Sequence, residues 1–201
     1  MSKNQKLTKS DRFSEFRDFI QNHNRFLLVT HMGPDGDGLL SCLAFALYLA
    51  EKGGSATVVT EDEIPSFVSF FNIGKTVMSS YDLLKQKSWK KNFDSVVLLD
   101  AGKLSRLGKL EDPISSSSLP VTIMDHHIPE KDDPNYPKII DENASSIGEL
   151  LAEFLDEEKY GFKNLELIRL LYAAIVYDTG QFRFSNTTNK TLKWAKRFVE
   201  L

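Results

Sequence analysis

The amino-acid sequence predicts an α/β fold, a doubly wound, mostly parallel sheet flanked by helices on both faces. Short β-rich apolar runs recur at 25–30, 55–60, 94–100 and 120–125. Stretches with helical spacing of apolar residues lie among and after them, and that alternation is the signature of crossover units in a parallel sheet. The run DSVVLLD (94–100) is apolar without a break between its two acids, as a strand buried on both faces must be.

Taken in order, Phe13, Phe16 and Ile20 mark one face of a first helix. RFLLVT (25–30) is the first strand and ends at His31. After the loop MGPDGDG, the four- and three-residue steps of Leu39, Leu43, Leu47 and Ala50 mark a second helix, stopped by Gly53 and Gly54. SATVVT (55–60) is the next strand, with a short helix expected over Ile64–Ile73 and a weaker strand around Thr76–Ser79. DSVVLLD and PVTIMD (120–125) supply two more strands, after which Pro129, Pro134 and Pro137 mark a loop. Ser146 and Glu149 have capping-box spacing ahead of Leu150, Leu151, Phe154 and Leu155. LELIRLLYAAIVY (165–177) is apolar nearly all round and predicts a buried helix. An amphipathic helix over about Thr188–Val199 closes the chain.

At 201 residues, the length corresponds to about 1.3 domains at roughly 150 residues each, so one domain over 1–201 is expected. Hydrophobic residues at 41% and charged residues at 26% exclude a disordered tail, a collagen-like rod and a coiled coil. A net charge of −3 argues against a partner such as long duplex nucleic acid, which is held by phosphate neutralisation. No apolar run reaches the roughly 18 residues of a membrane span, and the opening MSKNQKLTKSDRF has no apolar core of a secretory signal. The one cysteine, Cys42, has no partner for an internal disulfide, which predicts a cytoplasmic setting with the thiol inert in the core.

Ligands of doubly wound sheets bind beyond the carboxyl ends of the strands, so the residues directly after the strands matter most. There the chain places His31 with Asp35 and Asp37, then Asp100, then Asp125, His126 and His127. A further acid, Asp178, ends the apolar helix and precedes Thr179 and Gly180. Carboxylates with a minority of imidazoles suit hard or borderline divalent ions, Mn2+ better than thiolate-seeking Zn2+. Aspartates crowded together repel one another unless cations sit between them. Two ions can share one carboxylate and hold a hydroxide for in-line attack on phosphorus. Asp35 and Asp37 would each reach a different ion, Gly36 and Gly38 would let the loop bend around them, and the helix near Leu39 would aim its positive end there.

HMGPDGDGLLS, VVLLDAG, IMDHH, ASSIGELL and IVYDTGQFRFSNTT resemble the successive motifs of the DHH phosphoesterase family, over about residues 20–190. YDTGQFRFSNTT is most similar to the branch of nano-RNases that also dephosphorylate 3′-phosphoadenosine 5′-phosphate. The resemblance implies hydrolysis of short oligoribonucleotides or a nucleoside phosphate with two Mn2+ ions, Mg2+ or Co2+ being substitutes. It implies that His31, Asp35 and Asp100 hold one ion, and that Asp37, Asp100, His126 and Asp178 hold the second, with Asp100 bridging. By the same resemblance His127 faces the scissile phosphate, and Asp125 supports the histidines.

Two departures stand out. Leu40 occupies a position usually held by glycine in the family, and the DHH-associated second domain with its glycine-rich substrate grip is expected to be missing. That leaves a catalytically weak metal- and nucleotide-binding module, or the catalytic half of a longer cyclic-dinucleotide or RecJ-type phosphodiesterase, as the alternative reading, with a homodimer as a way to cover exposed sheet edge. Ser145 and Ser146 read first as a helix cap and second as phosphate contacts. Arg183 and Asn186 are candidate substrate contacts, Arg106 reads as structural, and the lysines around Trp89 read as a solvated face.

Overall fold

The computed structural model describes residues 12–61, 64–71, 73, 78–129 and 136–201. Six strands form one sheet: β1 (Arg25–Val29), β2 (Ser55–Thr60), β3 (Met78–Ser80), β4 (Ser95–Leu99), β5 (Val121–Asp125) and β6 (Lys138–Ile140). Every pairing is parallel and the order is β3-β2-β1-β4-β5-β6. The sheet is therefore wholly parallel among the described residues. The chain winds outward in one direction from β1 and in the other from β4, so the switch point lies between these two strands, where ligands of such sheets bind.

Register carries that point to individual residues. Val29 pairs with Leu98 and Leu99 with Met124, so His31, Asp100 and Asp125 leave the sheet side by side. Alternate side chains of β1 and β4 enter two separate apolar layers, Phe26, Leu28, Val97 and Leu99 on one face and Leu27, Val29, Val96 and Leu98 on the other. Four buried strand positions in a row explain the uninterrupted apolar runs.

The larger layer carries the long helices α1 (Ser14–Gln21), α2 (Gly36–Glu51), α5 (Ile147–Glu157), α6 (Leu165–Asp178) and α7 (Asn189–Glu200). The smaller one is closed by α3 (Asp82–Lys85), α4 (Glu111–Ser115) and tight 3-10 turns at Trp89–Asn92 and Leu104–Leu110. Trp89 is buried against Phe93 there, and the lysines beside it are exposed. The segment expected as a helix over Ile64–Ile73 is a 3-10 turn at Ser66–Phe70. Pro129 and Pro137 lie in loop as expected, and the short strand β6, which the sequence does not announce, follows directly on Pro137 with its three residues free to pair. Of the strand expected around Thr76–Ser79, Thr76 lies outside the described residues, as do Pro134 and residues 1–11.

The helix that the leucine spacing marks is α2, and Gly36–Ala46 are all buried in it because α5 and α6 cover its far side. α6, apolar nearly all round, belongs to the outer layer, where Leu165 and Tyr177 are exposed. Leu40 is buried in the larger core, and Cys42 is fully enclosed, with burial pushing its thiol well up from the ordinary range. α5 meets α6 at Gly148, where a Cβ would stand 2.7 Å from Ala174 Cβ and 3.0 Å from the Leu171 carbonyl oxygen. Gly148→Ala is expected to lower unfolding free energy by about 1–3 kcal/mol, the usual range for overpacking, in urea titration.

Candidate metal centre

Each polar side chain at the switch point is positioned by a different piece of local chemistry. Asp35 caps α2, accepting the Gly38 N–H at 3.0 Å, so the helix begins three residues before Leu39 and carries Asp37 in its first turn. Gly36 and Gly38 thus lie in helix, and their value is closeness. A Cβ on Gly38 would stand 2.1 Å from Thr30 Oγ1 and 3.1 Å from Asp100 Oδ2, and one on Gly36 would stand 2.4 Å from the Tyr177 ring. Asp100 turns the chain at the end of β4 with φ of 61°, a left-handed conformation that aspartate tolerates better than most residues.

The imidazoles point their Nε2 atoms at carboxylates. His31 Nε2 lies 3.5 Å from Asp100 Oδ2 and 3.8 Å from Asp35 Oδ1. His126 Nε2 lies 3.6 Å from Asp100 Oδ1, 3.8 Å from Asp37 Oδ2 and 3.9 Å from Asp178 Oδ2. Their Nδ1 atoms are taken by backbone carbonyls, Met32 at 2.8 Å and Ala144 at 3.3 Å, which orients each ring. Asp125 Oδ1 accepts from the backbone N–H of His126 and His127 at 2.7 and 3.1 Å, and pairs with His127 Nδ1 at 2.8 Å.

Asp37 is fully buried and receives a second helix N-terminus that its local sequence does not reveal. The Ile147 and Gly148 N–H groups of α5 donate to its carboxylate at 2.6 and 3.0 Å. Ser146 caps α5 by accepting the Glu149 N–H at 3.0 Å, but Glu149 does not complete a capping box. Its carboxylate accepts the Ser145 hydroxyl at 2.7 Å and meets Lys190 Nζ at 3.0 Å. Asn186 Nδ2 donates to Asp178 Oδ2 at 3.2 Å and to the Ser145 carbonyl at 3.0 Å, while Arg183 Nε donates to the Gly180 carbonyl at 2.8 Å. The structure thus spends Ser145, Ser146 and Asn186 within the fold, and α5 turns its N–H groups on Asp37.

Three overlapping groups emerge, His31 with Asp35 and Asp100, Asp37 with His126 and Asp178, and Asp100 with His126 and His127, each with ligand atoms within 4.8 Å of one another. Among the described residues, Asp100 Oδ1 is buried without a hydrogen-bond partner. Nitrogen–oxygen separations of 3.5–3.9 Å are too long for hydrogen bonds. They are shorter than the about 4.2 Å between opposed ligands of an ion with bonds of about 2.1 Å. The donor set therefore fits hard divalent cations.

The profile of the DHH family, N-terminal domain, matches residues 25–175. The chain belongs to the DHH family. This DHH chain is 35% identical over 183 residues to the bifunctional oligoribonuclease and PAP phosphatase NrnA of Bacillus subtilis, covering 90% of this chain and 54% of that protein. It spans about half the length of the curated relatives it matches. An exopolyphosphatase-related protein from Bacteroides fragilis superposes with a TM-score of 0.83 at 20% identity, over 98% of this chain and 58% of the other. RecJ from Thermus thermophilus, crystallised with Mn2+, superposes with a TM-score of 0.53 at 16% identity, over 94% and 27%. At those identities the two structures share a fold with this DHH chain.

The metal-free electrostatics set a pH dependence. The Asp100 and Asp35 carboxylates that face its ring raise His31 to about 10. Burial opposes protonation of His126, but Asp100, Asp37 and Asp178 outweigh it and raise that ring to about 9. Burial, together with neighbouring carboxylates, pushes Asp37 and Asp178 upward. Both histidines stabilise the metal-free fold fully below their ordinary value near 6.5, and that stabilisation is lost as pH rises through about 9 and about 10. A cation must displace the same protons, so its affinity moves the other way. The increase in Tm on adding Mn2+ is expected to grow steadily from pH 6.5 to 8.5 in scanning calorimetry; a constant increase would show that neither histidine loses a proton on loading.

Proposed function

We propose that this chain is an Mn2+-dependent phosphoesterase acting on short oligoribonucleotides or a nucleoside bisphosphate, in the cytoplasm. The observation that carries this reading is Asp100. Its buried carboxylate has a histidine Nε2 facing each oxygen, His31 on one side and His126 on the other, and among the described residues one oxygen lacks a hydrogen bond. His31, Asp35 and Asp100 would hold one ion, and Asp37, Asp100, His126 and Asp178 the other. Two bound cations would neutralise charge at phosphorus and activate water at neutral pH.

The chain's own residues would do the rest. His127 is half-exposed beside Asp100, and Asp125 fixes its ring through Nδ1 at 2.8 Å, which leaves Nε2 to face a phosphate or a leaving oxygen. The 35% identity to a bifunctional oligoribonuclease and PAP phosphatase supports the substrate class. Its span of about half that relative favours a second reading, the catalytic half of a two-domain phosphodiesterase or a weakly active binding module.

The test is Mn2+-dependent release of mononucleotide from short oligoribonucleotides and of phosphate from adenosine 3′,5′-bisphosphate. Turnover abolished by a chelator and restored by Mn2+ is the expected result. Nucleotide binding without turnover would favour the binding module.

A further inference from the structure

Beside the metal centre lies a cavity of about 360 Å³ that the reaction described above does not use. His127 and Asp125 form its wall toward the metal cluster, Lys103 and Arg106 line it as well, and Ile128 and Ile140 add apolar surface. Arg106 sits in the 3-10 turn after β4, and its carbonyl accepts the Met32 N–H at 2.7 Å. That bond ties the turn to the loop carrying His31, so Arg106 is held at a fixed place relative to the centre.

Arg106 is half-buried, and among the described residues no carboxylate pairs with it. Glu61, the acid at the same corner, is taken by Lys109, through its ammonium at 3.1 Å and its backbone N–H at 3.0 Å. Asp125, the acid in the cavity wall, is satisfied by His127 and two backbone N–H groups, which hold its carboxyl below the usual range against the effect of burial. A guanidinium withdrawn from water without a counter-charge is a ready partner for a phosphate, which its planar fork meets with two hydrogen bonds.

We propose that this cavity seats a second phosphate of the substrate, gripped by Arg106 and assisted by Lys103, while the first lies at the metal cluster across His127. The inference rests on the phosphoesterase reading and sharpens it. The site would select a nucleotide with two separated phosphate groups, as in a nucleoside 3′,5′-bisphosphate, over a monophosphate.

Calorimetric titration of the full chain with adenosine 3′,5′-bisphosphate, and separately with the 5′-monophosphate, tests this, using Ca2+ in place of Mn2+ to suppress turnover. The wild-type chain is expected to bind the bisphosphate at least about tenfold tighter, the loss of one charge-assisted phosphate contact being worth that much. Arg106→Gln should bring the two affinities together, and Arg106→Lys should restore part of the preference. The Tm increase on adding metal reports whether each variant still folds around the cluster. Equal wild-type affinities, or a preference kept in Arg106→Gln, would overturn the second subsite. In both cases the phosphoesterase reading survives if the wild-type chain hydrolyses nucleotides with Mn2+. A chain that binds neither nucleotide and hydrolyses none overturns both.

Discussion

Asp100→Asn is expected to lower Mn2+-dependent phosphoester hydrolysis by about 1,000-fold, the upper end of what losing one preorganised charge-stabilising group costs. Asparagine keeps the shape of the side chain and removes its charge. The position is sensitive because the Asp100 carboxylate is 2% exposed and stands between His31 and His126, at 3.5 and 3.6 Å from their Nε2 atoms. With the charge gone, each imidazole loses one of the carboxylates that face it, and the shared ligand of the proposed pair is neutral. The Tm increase on adding Mn2+ should therefore shrink in parallel with the rate. Steady-state rates and calorimetry on one preparation check both, with circular dichroism showing that the fold is kept. Undiminished turnover in a folded Asp100→Asn chain would remove the bridging role and the proposed mechanism with it.

The second large effect is on stability, away from the metal centre. Phe154 on α5 is 1% exposed and meets the rings of Phe13, Phe16, Phe45 and Tyr48 at centroid distances of 5.5, 5.1, 6.3 and 6.1 Å. It joins α1, α2 and α5 over the sheet. Phe154→Ala is expected to cost about 3–5 kcal/mol, a large part of the about 5–15 kcal/mol that holds a domain folded. The midpoint of urea unfolding should fall sharply with an unchanged slope, while Mn2+ still raises the Tm of the folded fraction. A loss under about 1 kcal/mol would mean that neighbouring rings close the space.

How much of this was legible from the sequence depends on the range of the signal. The strand at 94–100 announces itself because burial on both faces demands an unbroken apolar run, and those at 25–30, 55–60 and 120–125 by short β-rich apolar stretches, all of it written locally. The candidate ligands are legible for a related reason: in a parallel sheet, the residue after a buried strand must emerge at the carboxyl edge. The Ser146 cap of α5 is equally local.

Other features depend on what each segment meets. The leucine spacing of α2 says nothing of the second helical layer that covers its far side and buries Gly36–Ala46 without a break. Gly36 and Gly38 look like bending points in a loop, whereas the structure uses their missing side chains to admit the Tyr177 ring and the Thr30 hydroxyl. Arg106 lies in a segment with no pattern of its own, and its place beside His127 comes from the Met32 bond and the turn after β4.

Taken alone, the sequence determined the class of fold, the strand ends and the chemical character of the groups that gather there. Packing of the chain was needed to show that α5 aims its N–H groups at Asp37, that Asn186 reaches the Ser145 carbonyl, and that a half-buried guanidinium borders the cavity. Periodicity and side-chain chemistry act over a few neighbouring residues and can be read in line. The contacts of Ile147 with Asp37 and of Asn186 with Ser145 join segments far apart in the chain, and packing alone brings them within bonding distance.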